Sequence, residues 1–296
     1  MSFVTDSLPG ITVGAGFPAI STKIVELATP AFALRPLLQT VPFPAGRTFV
    51  FYKQVGSRTI GVSRGAEDSV AIVDFTTYTA VSYEPPIYKA AVWISKGVID
   101  SFQSVLNIVQ DQLNRLARRV VNQIEIDVEA AFSSAAGSTM TATGTSLGFN
   151  GTEFTISGSI GTKDILEASK RIMQKNLMPE YLIVNPAQYA QIKYLPHYSA
   201  YMYTGEDSPG TRRGVVGEVE NLRVVVSPIV PAGTAYVVST GTNPSGAYEP
   251  LGYWVEKSPF SAWYRFDTDD HMHKVSTYYH AGPLVTSSDC IVKIQI

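Results

Sequence analysis

Several stretches of the chain carry residue types at spacings that could do chemistry. Gly61-Val62-Ser63-Arg64-Gly65 has the G-x-S-x-G spacing of a serine hydrolase, in which Ser63 would be the nucleophile. That use needs a strand before the serine and a helix directly after it, to hold the hydroxyl on a strained turn. Ala-Glu-Asp-Ser and then a strand pattern follow instead, so the segment reads as a hairpin tip. In Asp269-Asp270-His271-Met272-His273, a strand would point His271 and His273 to one face, where neutral imidazoles can share a transition ion. Further ligands must come from elsewhere, with His197 and His280 as the other histidines; the competing reading is a polar turn between two strands. The loop Gly158–Lys163 precedes a helix and could offer amides to an anion, but it lacks the gap and the Gly-Lys-Ser/Thr order of a P-loop. Arg115, Arg118 and Arg119 form either a solvated face or a phosphate-binding one. Arg58, Arg64, Glu67 and Asp68 give the hairpin tip both signs of charge, which suits a neighbouring chain or solvent.

None of these makes an active site, so no catalytic, cofactor-binding or metal-binding residue is assigned. Composition points the same way. Hydrophobic residues are 45% of the 296 and charged ones only 16%, which fits a surface largely covered by other copies of the chain. A net charge of -2 argues against a dedicated nucleic-acid binder. The single Cys290 excludes internal disulfides and fits a reducing compartment. The N-terminus lacks the pattern of a signal peptide, and no apolar run reaches the ~18 residues of a membrane span. A soluble protein made inside a cell is expected.

The elements that would position these residues are long and projecting. Residues 1 to about 40, interrupted by prolines, read as an extended arm with a short helix near Ser21–Leu27. TFVFYKQV (48–55) and AIVDFTTYTAVSYE (71–84) read as the two strands of a long hairpin, marginal in water unless it lies on something. Residues 100–135 predict one long helix, with Asp100 as N-cap, Gln103 completing a capping box, and an apolar stripe from Leu106 through Leu116, Val120, Ile124 and Val128 to Ala131. A Gly/Ser/Thr-rich loop or small hairpin follows over 137–161. Then come the helix ILEASKRIMQKN, the buried strand YLIVNP, the helix AQYAQIKYL, and the buried strands LRVVVSP and TAYVVST. The chain ends in the strands YWVEKS, WYRFDT, KVSTYYH and CIVKIQI.

This succession resembles the HK97-type major capsid proteins of tailed double-stranded DNA viruses. DILEASKRIMQKNLMPEYLIVNPAQYAQIKYLP (164–196) is similar to the helix–strand–Asn-Pro–helix opening of the family's axial domain. GVVGEVENLRVVVSPIVPAGTAYVV (214–238) is similar to the loop, Ser-Pro strand end and Pro-x-Gly turn that follow there. The resemblance implies an α+β, HK97-like capsid fold. Its parts would be an N-terminal arm (1–43), a β-hairpin E-loop (44–90), a peripheral domain with a spine helix (91–150 and 248–296, the helix at 100–135), and an axial α/β domain (151–247).

The implied function is structural. The chain would assemble with itself into hexamers and pentamers of an icosahedral virus head, with non-specific contact to packaged double-stranded DNA. Portal and separate scaffolding or decoration proteins would be partners, no membrane would be involved, and assembly would take place in the host cytoplasm. Because Met1 leads almost at once into the arm, any scaffold is expected to be separate or absent. Some relatives join a lysine to an asparagine. Lys53 lies in the ascending hairpin strand, but no motif marks a matching Asn and Glu, so that chemistry is not carried over. Two alternatives stand beside this reading: an encapsulin-type compartment of the same fold, and a metal-dependent β-rich enzyme using His271 and His273.

Overall fold

The computed structural model describes residues 33–43, 48–54, 78–95, 105–147, 153–193, 215–242, 250–267 and 271–296. In chain order its strands are β1 (Gln39–Pro42), β2 (Phe49–Gln54), β3 (Tyr78–Tyr83), β4 (Ile87–Ser95), β5 (Ser138–Thr141), β6 (Thr145–Leu147) and β7 (Glu153–Thr155). They continue as β8 (Tyr181–Val184), β9 (Val215–Val219), β10 (Leu222–Val226), β11 (Thr234–Val238), β12 (Gly252–Asp267), β13 (Met272–Val285) and β14 (Ile291–Gln295). The helices are α1 (Val105–Ala135), α2 (Thr162–Met173) and α3 (Pro186–Lys193).

Helix α1 has 31 residues, a rod of about 46 Å at ~1.5 Å per residue. Leu116, Val120, Val121, Ile124, Val128 and Phe132 are buried along it. The stripe ends on Phe132 rather than on the half-buried Ala131, because a step of four keeps the larger side chain over the core. Asp100 and Gln103 lie outside the described residues, as do the side chains of Leu106, Val109 and Leu113. The expected helix at Ser21–Leu27 lies outside them too. No helix among the described residues is long and apolar enough to cross a membrane.

Under α1 lies a four-stranded sheet in the order β1-β12-β13-β4. Strand β4 was not expected. Its residues alternate strictly, with Tyr88 and Ile94 buried under the helix and Ile87, Lys89, Ala91 and Trp93 exposed on the open face. YWVEKS and WYRFDT are one strand, β12, not two. The ladder to β13 slips between Glu256 and Ser258 and again before Ser261. Pro259 sits in that slip; it has no N–H to give, so it disturbs the pairing without ending the strand.

The second sheet has six strands in the order β5-β14-β11-β8-β10-β9. The predicted buried strands form its centre: Leu182, Ile183 and Val184 of β8 and Ala235–Val238 of β11 are fully buried. Helix α2 covers it with Ile165, Ala168 and Ile172. β5 and β14 belong to this sheet, although the sequence groups both with the segments of the other one. A short 3-10 turn, Ser288–Cys290, redirects the chain between β13 and β14. Strands β6 and β7 make a small hairpin, and β2 and β3 make a ribbon that joins neither large sheet.

Candidate functional site

The residues that organise the molecule lie in Ile124-Glu125-Ile126-Asp127-Val128-Glu129, on the inward half of α1. Successive acids there are about 200° apart around the helix, so Glu125 and Glu129 share one flank while Asp127 takes the other. Each grips a different part of the chain.

Glu125 is 3% exposed. Its Oε2 accepts the Leu34 N–H at 2.8 Å and its Oε1 accepts the Arg35 N–H at 3.1 Å. These amides open the 3-10 turn Arg35–Leu37, where N–H groups have no partner of their own. Burial pushes the Glu125 carboxyl above its ordinary pKa, against the pull of the Leu34, Arg35 and Ala33 amides and the Arg35 charge. The strap that begins here runs on as β1, parallel to β12. The Arg35 guanidinium lies 5.2 Å from the Trp254 ring centre and 6.0 Å from that of Tyr279. Trp254 is fully buried, and its Nε1–H donates to Tyr279 Oη at 2.8 Å.

Asp127 holds the root of the ribbon. Tyr88 Oη donates to its Oδ2 at 2.6 Å, and Gln123 Nε2 donates to Oδ1 at 3.0 Å. Burial and then the nearby Asp127 charge push the Tyr83 phenol up to about 12; Tyr88 is raised by burial and by its bond to Asp127. Both remain neutral near pH 7, and Tyr88 stays a donor. Between β3 and β4, the Pro85 carbonyl accepts an N–H from His280 Nε2 at 3.0 Å, which fixes the tautomer. Gly282 lies against the same root, where a Cβ would overlap Tyr83 Oη and Pro86 Cδ.

Glu129 ties the rod to the six-stranded sheet by accepting Tyr236 Oη at 2.6 Å. One helical turn on, Lys293 Nζ of β14 donates to Ser133 Oγ at 2.7 Å. At the far side of that sheet, Asn185 explains the quiet junction between β8 and α3. Its Oδ1 accepts the Ala187 N–H at 2.9 Å, and its Nδ2 donates to the Val230 carbonyl at 2.7 Å. The side chain starts the helix and clamps the turn before β11; its work is shape.

The residues singled out from sequence are not brought together. Ser63, Arg58, Arg64, Glu67, Asp68, His197, Asp269 and Asp270 lie outside the described residues, as does the side chain of Lys53. His271 is exposed on a positive-φ turn, His273 is buried under α1, and His280 serves the ribbon root. Among the described residues, no group of three or more His, Cys, Asp or Glu could hold a metal. The loop before α2 keeps its amides: Gly161 N–H goes to Asp164 Oδ2 at 2.9 Å and Thr162 N–H to Ser146 Oγ at 3.0 Å. Lys163 pairs with Glu153.

Sequence reasoning missed the three acids because each partner is remote, 91 residues away for Leu34, 39 for Tyr88 and 107 for Tyr236. The signal that could have exposed them was their position, since acids that alternate with Ile and Val cannot all face solvent on one helix.

The architecture has known counterparts. A virus-like particle from Pyrococcus furiosus superposes with a TM-score of 0.59 at 12% identity, covering 94% of this chain and 99% of that one. The capsid of the cyanophage P-SCSP1u gives 0.58 at 13% identity, over 88% and 86%. The SrpI encapsulin of Synechococcus elongatus PCC 7942 gives 0.57 at 12% identity, over 100% and 91%. No curated protein matches the sequence. The profile of the family described as "Phage capsid protein" matches residues 80–294, from β3 to the last strand. The HK97-type fold expected from the sequence is therefore present, and the chain belongs to the phage capsid protein family.

Proposed function

We propose that the chain is the major shell subunit of an icosahedral virus head, assembling into hexamers and pentamers around double-stranded DNA. Its role is geometric, without a catalytic step. The observation that carries this is the β2–β3 ribbon. It joins neither large sheet and leaves Val50 and Val81 exposed, while its root is locked to the body. A two-stranded ribbon is marginal in water alone, so a neighbouring copy is the fitting support. In this reading the arm (1–43) is anchored on its own body by the strap and the ribbon (44–90) by the start of β4, their remaining parts reach across neighbours, and the peripheral region (91–150 with 248–296) carries them on α1. The axial region (151–247) forms the wedge at the symmetry axes, and β5 and β14 form its seam with the peripheral region. Portal and separate scaffolding or decoration proteins would be its partners, with assembly in the infected cell.

Negative-stain imaging of the expressed protein tests this directly. Closed particles or hexameric rings are expected, and a stable monomer at high concentration would overturn the reading. Duplex DNA inside the particles, rather than an enzyme cargo, separates a virus head from a compartment of the encapsulin kind.

A further inference from the structure

An edge strand leaves a row of N–H and C=O groups without a ladder partner, so it is the part of a sheet most ready to pair with another chain. Three of the four edges of the two large sheets are short. β1 and β5 have four residues each and β9 has five, and β1 ends on Pro42, which has no N–H to give. The fourth edge, β4, is different. It has nine residues, an unbroken ladder to β13 on one side and, among the described residues, no strand on the other. It holds no proline or glycine, and its one charged residue is Lys89. Ile87 is 47% exposed and Trp93 48%. Nothing in this strand blunts its free edge.

The strand is also complementary to itself. When two copies pair antiparallel about a two-fold axis, only one register uses all nine residues, the one that puts Ala91 on the axis. Lys89 then stands opposite the partner's Trp93 and Ile87 opposite the partner's Ser95. On the helix side Tyr88 meets the partner's Ile94, and Ala90 meets the partner's Val92. Open face meets open face, and no lysine faces a lysine. Lysine–aromatic pairing across strands is already the habit of this face. Lys274 is opposite Trp93 and lies 4.4 Å from its ring centre, and Lys89 is opposite Tyr278 at 5.7 Å. In the two-fold pair Lys89 lies between Tyr278 and the partner's Trp93, so the alternation of cation and ring runs on across the seam.

The helices above the sheet permit this. α1 packs on both β4 and β13. With strands ~4.8 Å apart, a helix centred over that pair comes to about 10 Å from its two-fold copy, the ordinary spacing of packed helices. The flank of α1 over β4 is marked by Asp127, which accepts from Tyr88 and Gln123. No other charged residue of the helix stands within about 60° of Asp127 around its axis; the exposed neighbours there are Gln123, Ala130 and Ser134.

We propose that the free edge of β4 pairs with β4 of a second copy, antiparallel about a two-fold axis through Ala91, so that two four-stranded sheets become one of eight strands. The contact goes beyond the shell reading and rests on it only for its place: an icosahedral lattice has two-fold axes between rings, and this seam joins copies from different rings.

Cysteine cross-linking tests the register. Full-length A91C, K89C and W93C are oxidised mildly, as particles or as whatever soluble species forms, and covalent dimers are read on a non-reducing gel. Cys290 is buried, and the unsubstituted protein is the blank. Residue 91 faces its own copy, whereas residues 89 and 93 each stand about 13 Å from theirs, past the roughly 7 Å reach of a disulfide. A91C is expected to give at least about tenfold more dimer than K89C or W93C alone, and co-expression of K89C with W93C to bring the dimer back. Absence of dimer from A91C overturns the proposal. So does K89C cross-linking to itself as readily as A91C, or a K89C and W93C mixture that stays unlinked. Each of these leaves the shell reading standing where closed particles form. Absence of particles from the wild type overturns the shell reading instead, and the cross-links in the soluble species still decide the strand pairing.

Discussion

The strap and the ribbon leave the body of the molecule within a few residues of each other, yet they are held in opposite ways. The strap is gripped along its backbone, by Glu125 on its amides and by β12 in a parallel ladder. Among the described residues the ribbon is gripped at its root, by side chains: Tyr83, Tyr88 and His280 around Pro85 and Pro86. A segment held through its backbone cannot swing, whereas one held at a single end is a lever. The same chain must fit both five-fold and six-fold surroundings in the proposed shell. The difference identifies which extension can supply the change of pose.

The largest effect should come from alkaline pH, which acts on both anchors through two tyrosines. Tyr83 at the ribbon root and Tyr279 beneath Arg35 are each pushed up to about 12, burial being the main cause in both. The folded state therefore holds these protons more tightly than the unfolded chain, where a phenol titrates near 10. The stabilisation is complete below pH ~10 and is lost as pH rises through ~12. These two tyrosines contribute at most about 5 kcal/mol of the loss and, with solvent screening, nearer 3; Tyr88 and Tyr236, also raised by burial, add to it. Urea midpoints at pH 9 and pH 12 measure it. Tyr83→Phe and Tyr279→Phe should each flatten the fall, and a fall left intact by both would remove this account of the anchors.

Glu125→Ala comes next and acts on the strap alone. It leaves the buried Leu34 and Arg35 amides without an acceptor, at a cost of about 2–3 kcal/mol. The strap should then become open to proteases near residues 33–43 while ribbon-root substitutions leave it closed. Uniform protease sensitivity of strap and ribbon in both kinds of variant would erase the distinction between them.

How much of this was legible in the sequence depends on how far each residue sits from its partner. The stripe of α1 and the apolar runs of β8 and β11 were readable because periodicity is local. The strap was not, since nothing in Leu34-Arg35-Pro36-Leu37 announces a glutamate 91 residues on. Strand β4 was hidden by its position after Pro85-Pro86, where YKAAVWIS reads as the tail of a hairpin. β14 was readable as a strand in CIVKIQI, but not its sheet, because a three-residue turn carries it from one sheet to the other and topology of that kind leaves no pattern.

The smallest predicted effect is the sharpest test of the lever. Gly282 permits the ribbon root to lie on β13, because any Cβ there would overlap Tyr83 Oη and Pro86 Cδ. Gly282→Ala should cost about 1–2 kcal/mol, the range for a forced shift in a packed site. The Tyr83 phenol can swing aside, whereas the stiff Pro86 ring moves only with its backbone. In a Tyr83→Phe background the hydroxyl overlap is gone and the alanine should cost measurably less, a coupling of about 0.5 kcal/mol or more. The same cycle run on particles reads the pose as well as the stability. If the root sets the angle of the ribbon, Gly282→Ala should change the ratio of closed particles to open sheets or rings, and Tyr83→Phe should restore it. A stability cost without any change in particle form would make the root a plain packing site and leave the strap as the only extension with a defined anchor.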